Sequence, residues 1–441
     1  MSQPDSAESV AGPEAGAVLA PPRLLPPPTA VAAYGARASR WTSPIGTPTW
    51  LWNVAAVRLD NPWVSGAIGL VGAMAVVLGR LALASHWDVT TFIGLGTAYS
   101  HPAQLPHGLY RLGGEGWDGQ YFYRLALDPA NLHRTAFGIT FDTPYRPQRI
   151  GYPVLAWLAS AGQAWLVPWS LVAVNVASLG ILGLLGGVLA RDAGRHVLYG
   201  LLLPTYWGYA YSVSWDLSGV SACMFMVAGL LALRRRRPLL AGVLLAAGVL
   251  TKETVMVYVA AVALVAVIGV ARGERPWRDR ASAYAQVAWI LPTACFGAWQ
   301  IFVRVIGDGT GITADTGANL GLPLAAMLRE IAHDLATLGS VTSDMDLLQI
   351  AVLVAVTVVA LSTLRTSRAP LAERVALVGL TVLVGSLSSA VWAGQKDLRS
   401  LSELFVMAVI VMLGSRRRMR VPAHLTGYLC FLVALRQVAF L

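Results

Sequence analysis

The residues best placed to do chemistry lie in Glu115–Pro129, which reads Glu-Gly-Trp-Asp-Gly-Gln-Tyr-Phe-Tyr-Arg-Leu-Ala-Leu-Asp-Pro. An acid, Asp118, stands among Trp117, Tyr121, Phe122 and Tyr123, rings of the kind found at a bilayer–water boundary. Pro129 ends any helix begun there. The pattern predicts a short helix on a membrane surface with Asp118 at its N-terminus. A carboxylate held there against apolar neighbours could take a proton from a substrate hydroxyl. The same Asp could also serve as a plain N-cap. Glu115 and Gln120 flank it as candidate binding groups.

Downstream, Asp142–Pro153 carries Arg146 and Arg149 just before an apolar run. Paired guanidiniums suit phosphate, which they bind in a planar, bidentate way; they could equally snorkel to lipid headgroups. Three further clusters are candidates. Asp216 opens a later apolar run and could be a cavity acid or an N-cap. Lys252 and Glu253 are adjacent charges inside a long apolar stretch, costly unless they line a polar cavity or form a turn. Lys396 and Arg399 open a run near the end of the chain, where Arg399 could clamp a phosphate or carboxylate. Gly307-Asp308-Gly309-Thr310-Gly311 lacks a preceding strand and a phosphate-binding lysine, which excludes a nucleotide loop. The acids of 307–346 do not follow a calcium-loop pattern.

The elements that position these residues must be membrane helices. Of 441 residues, 56% are hydrophobic and 13% charged, with a mean hydropathy of +0.59, and apolar runs of roughly 20 residues recur. The expected fold is all-α, a polytopic transmembrane bundle, since continuous apolar backbone in lipid must be helical. Residues 1–60, rich in Pro, Ala and Ser, read as a disordered cytoplasmic tail without a secretory leader. Residues 61–441 form the helical domain, with extracytoplasmic loops at 85–150 and 307–346.

The net charge of +10 marks cytoplasmic loops and does not indicate nucleic-acid binding. Placing Arg191/Arg195, Arg234–Arg237, Arg272–Arg280, Arg365–Arg374 and Arg416–Arg420 inside requires 151–167 to be half-inserted or to lie on the surface. It also requires 238–271 to be two helices broken near Thr251–Glu253. The result is about 11 crossings, with 196–214, 372–391 and 400–414 among them. All the candidate groups then face outside. Cys223, Cys295 and Cys430 fall in apolar runs and suggest neither disulfide nor metal site. Two lysines among 33 basic residues, with abundant Ala, Gly and Arg, fit a GC-rich bacterial genome. The expected location is the bacterial plasma membrane, N-terminus inside, with membrane lipid as the surrounding partner.

Together, Trp117-Asp118-Gly119-Gln120-Tyr121-Phe122, Tyr145–Pro153, Asp216, Leu250–Glu253 and Arg399 resemble the GT-C superfamily of membrane glycosyltransferases. The mannosyltransferases of GPI-anchor synthesis, with a Trp-Asp in the first luminal loop, are a partial likeness. The resemblance implies a polyprenyl-phosphate-linked sugar as donor and an acceptor on the outer face. Asp118 would be the catalytic acid of the first loop, acting as base, and Arg146, Arg149, Lys252 and Arg399 would be candidates to hold the lipid phosphate. Many members carry paired acids where this chain has Asp118 alone, so a divalent cation is the only cofactor left open. The rival readings are a lipid or small-molecule transporter or flippase, which typically shows paired broken helices in two related halves, and a non-catalytic scaffold.

Overall fold

A computed structural model describes residues 59–273, 280–306, 319–392, 396–417 and 419–439. Helix α1, Pro62–Leu83, starts where Asn61 accepts a hydrogen bond from the Trp63 amide (3.1 Å) and Pro62 fills the first turn. Such a start satisfies an amide that would otherwise be orphaned. Its 22 residues are about 33 Å long. It runs antiparallel to α4, Val167–Asp192, with small residues at the seam. At Gly183 a Cβ would lie 2.6 Å from the Ser65 carbonyl oxygen, so only glycine permits the approach, as in membrane helix pairs.

Between them lie the polar segment and two short helices, α2 (Gly119–Leu127) and α3 (Gly151–Ala159), with a two-residue hairpin of β1 (Thr135–Ala136) and β2 (Ile139–Thr140). With nine residues, α3 reaches about 13 Å, too short to cross a bilayer. Helices α5 (Gly208–Ser214), α6 (Gly219–Arg234), α7 (Pro238–Thr251), α8 (Met256–Ala271) and α9 (Arg280–Ile306) follow. The rest of the chain adds α10 (Ala325–Ala336), α11 (Val341–Ser362), α12 (Leu371–Gly385), α13 (Ser389–Trp392), α14 (Ser402–Leu413) and α15 (Arg420–Ala439).

Among the described residues, five helices are long and apolar enough to cross a membrane: 62–83, 164–192, 253–271, 282–306 and 341–362. The chain is therefore a mostly helical protein of membrane type. Several expected spans are interrupted. Residues 196–214 form a 3-10 stretch, Val197–Leu202, and the seven-residue α5, because Pro204 between them has no amide to continue a helix. The run 372–391 stops at Gly385 and resumes as the short α13. The run 400–414 begins with 3-10 turns over Lys396–Leu401. The break near 251–253 is present: Lys252 is extended (φ −158°, ψ 124°) between α7 and α8. Of the expected 307–346 loop, residues 307–318 lie outside the described residues, as do 1–58 of the expected tail, and α11 begins at Val341.

Two large buried clusters form, beside a small one of Ala232, Ala241 and Ala288. The larger centres on Trp207, Tyr206, Tyr209 and Phe405, from α14 and the segment 206–209. The second packs Tyr121, Phe122, Tyr123 and Leu125 of α2 against Tyr152, Tyr211 and Trp215. The α2 rings thus face protein, not the membrane surface expected for them. Each is under 5% exposed.

Candidate active site

Asp118 begins α2 but makes no capping hydrogen bond with its side chain. The chain is tight there: a Cβ on Gly119 would sit 2.5 Å from the Trp215 carbonyl and 2.7 Å from that of Ile93. Trp117 packs on Tyr211 and Trp215, ring centres 5.4 and 5.5 Å away. Gln120 is buried and occupied by backbone. Its Nε2 donates to the Glu115 carbonyl (2.8 Å) and its Oε1 accepts from the Gly96 amide (3.2 Å). The loop is pinned and the Asp118 carboxylate turns toward Arg146.

Arg146 donates from Nη1 to Asp118 Oδ1 (2.9 Å). Its Nε and Nη2 reach the two oxygens of Asp142, both at 2.6 Å. The guanidinium lies over the rings of Tyr121 and Tyr145. Arg399 approaches Asp118 Oδ2 at 3.6 Å and lies 5.5 Å from the ring centres of both Trp117 and Tyr211. Arg149 binds Glu253 through two hydrogen bonds, 2.9 and 2.6 Å. Lys252 donates to Glu403 Oε2 (2.8 Å) and the Ser400 carbonyl (3.0 Å), and the Thr254 hydroxyl donates to Glu403 Oε1 (2.9 Å). Cations and carboxylates alternate around a small, partly open cleft lined by Asp118, Phe122, Arg149, Ser212, Lys252 and Arg399 among others.

Burial works to raise the Asp118 carboxyl. The charges of Arg146, Arg399 and Arg149, with the Arg146 hydrogen bond, outweigh it and hold the group at about 2, below the ordinary 3.8. Asp118 is therefore ionised and stabilised in its charged form. Burial works to lower Arg146, but the Asp118 charge and the Asp142 hydrogen bonds raise it overall.

The structure therefore brings Asp118, Arg146, Arg149, Lys252, Glu253 and Arg399 together. Glu115 is exposed and contributes only its carbonyl. Asp216 is fully buried behind the cleft at a left-handed turn (φ 48°), next to the cleft-lining Leu217 and Ser218, and it does not cap α6, whose N-cap is Ser218. The side chain of Lys396 lies outside the described residues. Asp142 and Glu403 carry half of the negative charge here and were not singled out from sequence. The signals were present: Asp142 stands four residues before Arg146, and Glu403 is an acid inside an apolar run. The donor set does not suit a divalent cation. Both Asp118 oxygens face guanidiniums, and among the described residues no three His, Cys, Asp or Glu side chains are grouped so that they could hold a metal ion.

Comparisons with protein-family profiles, with curated proteins and with solved structures gave no match for this chain.

Proposed function

We propose that the chain is a membrane glycosyltransferase of GT-C type. It would move a hexose or pentose from a polyprenyl-phosphate carrier to a cell-envelope acceptor on the outer face of a bacterial plasma membrane, through a bundle of about 11 crossings. The observation that carries this reading is the meeting of an ionised Asp118 with Arg399 and Arg146 at one open cleft.

Direct displacement at the anomeric carbon needs a base for the acceptor hydroxyl and cations for the departing lipid phosphate. The acceptor oxygen attacks the anomeric carbon, its proton passes to Asp118, and the carbon–oxygen bond to phosphate breaks with both electrons leaving on the phosphate. A carboxyl held at about 2 is a weak base, since general bases work best with a pKa near the operating pH. An anionic donor that engages Arg399 offsets the positive field on Asp118 and raises its basicity at the moment it is needed. Arg146 stays bound to Asp142 and keeps Asp118 oriented. Arg149 and Lys252, each held by its own glutamate, shape the cleft floor.

Purified protein in vesicles, given labelled polyprenyl-phosphate sugars and a cell-envelope extract, should release the free carrier phosphate. Absence of turnover with every hexose and pentose donor sinks the proposal.

A further inference from the structure

The backbone that carries Arg399 is held on both sides of that residue. The carbonyl before it, that of Leu398, accepts a hydrogen bond from the Tyr206 hydroxyl. The carbonyl after it, that of Ser400, accepts one from Lys252 Nζ (3.0 Å). The partners are 192 and 148 positions apart in sequence, so neither bond belongs to local secondary structure.

The turn needs such support. Leu398 is left-handed (φ 48°), a conformation that crowds the Cβ of any residue but glycine. Strain of this kind persists only where the surroundings over-determine it, and it gathers at working sites. A Cβ on Gly219, at the start of α6, would lie 3.8 Å from the Arg399 carbonyl oxygen, so α6 closes the back of the turn.

Both supports are themselves fixed. Tyr206 is fully buried, and its ring packs on Trp207 and Phe405, centres 4.7 and 4.9 Å away. It stands two residues past Pro204, where the apolar run 196–214 is interrupted. Lys252 is bound to Glu403 (2.8 Å) at the break between α7 and α8. Two interrupted apolar runs thus converge on one arginine. Tyr206 does so from outside the cleft lining.

We propose that Tyr206 and Lys252 are positioning residues for Arg399. By holding the Leu398 and Ser400 carbonyls they fix the backbone from which the guanidinium reaches Asp118 and the rings of Trp117 and Tyr211. Lys252, occupied by Glu403 and the Ser400 carbonyl, then acts through Arg399 and not on a ligand. The positioning holds whatever anion the cleft takes; its consequence for donor binding rests on the glycosyltransferase reading.

Phenylglyoxal labelling, read by mass spectrometry in detergent, reports on each arginine without turnover. The Arg399 side chain is 12% exposed and should label slowly in the wild-type protein. Tyr206→Phe keeps the ring and removes only the hydroxyl. Lys252→Met with Glu403→Leu removes the second support without stranding a charge. Each variant should raise the labelling rate of Arg399 several-fold and leave the buried Arg80 and Arg124 as protected as before. Unchanged labelling of Arg399 in either variant overturns the two-sided support. So does a parallel rise at Arg80 and Arg124, which marks general loosening. A cycle on donor KM gives a second measurement. Tyr206→Phe should raise KM several-fold in the wild-type background and add little in the Arg399→Ala background, where the residue it positions is gone. Equal factors in both backgrounds overturn the proposal. If no labelled donor turns over in the wild type, the glycosyltransferase reading falls, and the labelling result still decides this one.

Discussion

Lys252 and Glu403, 151 positions apart, meet at 2.8 Å where two helical stretches are interrupted. Lys252 is the extended residue between α7 and α8, and Glu403 sits in the first turn of α14. Both side chains are nearly inaccessible, at 6% and 2% exposure. Removing one member of such a pair strands a buried charge, which costs about 3–5 kcal/mol, whereas replacing both with apolar groups is often neutral. Glu403→Gln should therefore lower the thermal midpoint in detergent sharply, and Lys252→Met with Glu403→Leu should recover most of the loss. Equal destabilisation by the single and double variants would show that the pair does not act as a unit.

Asp118→Asn tests the base. The Asp118 side chain caps nothing, so the Asn variant loses only charge, and Arg146 keeps both bonds to Asp142. General-base help is worth about 100- to 10,000-fold in rate. The variant should insert and fold, bind donor, and transfer sugar slower by a factor in that range. Transfer near the wild-type rate in a direct assay would leave Asp118 as an ion-pair strut only.

How far this site could be read from sequence depends on which property each residue advertises. Lys252 and Glu253 interrupt an apolar run, so a helix break was legible there. The short α3 was legible from the charge balance of the loops. The break at Pro204 was not, because average hydropathy over 196–214 stays high whether or not the helix hydrogen bonds continue. Tyr121, Phe122 and Tyr123 misled for a related reason: a ring with a polar edge suits a lipid interface and a protein interior equally well. Asp118, Arg149 and Arg399 stood out as charges near apolar runs. Their partners depend on tertiary contacts between Arg149 and Glu253, and between Arg399 and Asp118, which no local spacing encodes.

Acid should expose the Asp118 ion pairs. Its folded pKa, about 2, lies below the ordinary 3.8. The stability it contributes is thus complete above about 4 and is lost as the pH falls toward about 2, and the shift corresponds to about 2 kcal/mol. The stability gap between wild type and Asp118→Asn, followed by unfolding in detergent, should be flat above about pH 4 and close below it. A gap that closes near neutral pH contradicts the double guanidinium clamp. Kinetically, the acid limb of kcat should lie at higher pH than that of kcat/KM, since the donor-bound state has lost part of the positive field.

Sidedness follows from the basic clusters. Glu115 and Arg236 are both exposed, so single cysteines there can be labelled with little disturbance. A membrane-impermeant maleimide should reach Glu115→Cys from outside intact cells and Arg236→Cys only after lysis. Labelling of both from one side removes the outer-face assignment of the cleft.

Arg399 is the cation best placed to exchange a carboxylate for a phosphate. It lines the cleft, reaches Asp118 at 3.6 Å, and lies over Trp117 and Tyr211. Hydrogen bonds to a charged ligand are worth about 1.5–3 kcal/mol, so Arg399→Ala should raise the donor KM by roughly 10- to 150-fold. Lysine keeps the charge but not the planar fork, and Arg399→Lys should fall between Ala and wild type. If Arg399 binds donor and transition state alike, kcat changes little and KM carries the effect; a fall in kcat with KM unchanged would instead place Arg399 on the departing phosphate in the transition state. Loss of thermal stability with both constants unchanged would reduce Arg399 to a brace between the loop and α14, and the phosphate would have to be held elsewhere.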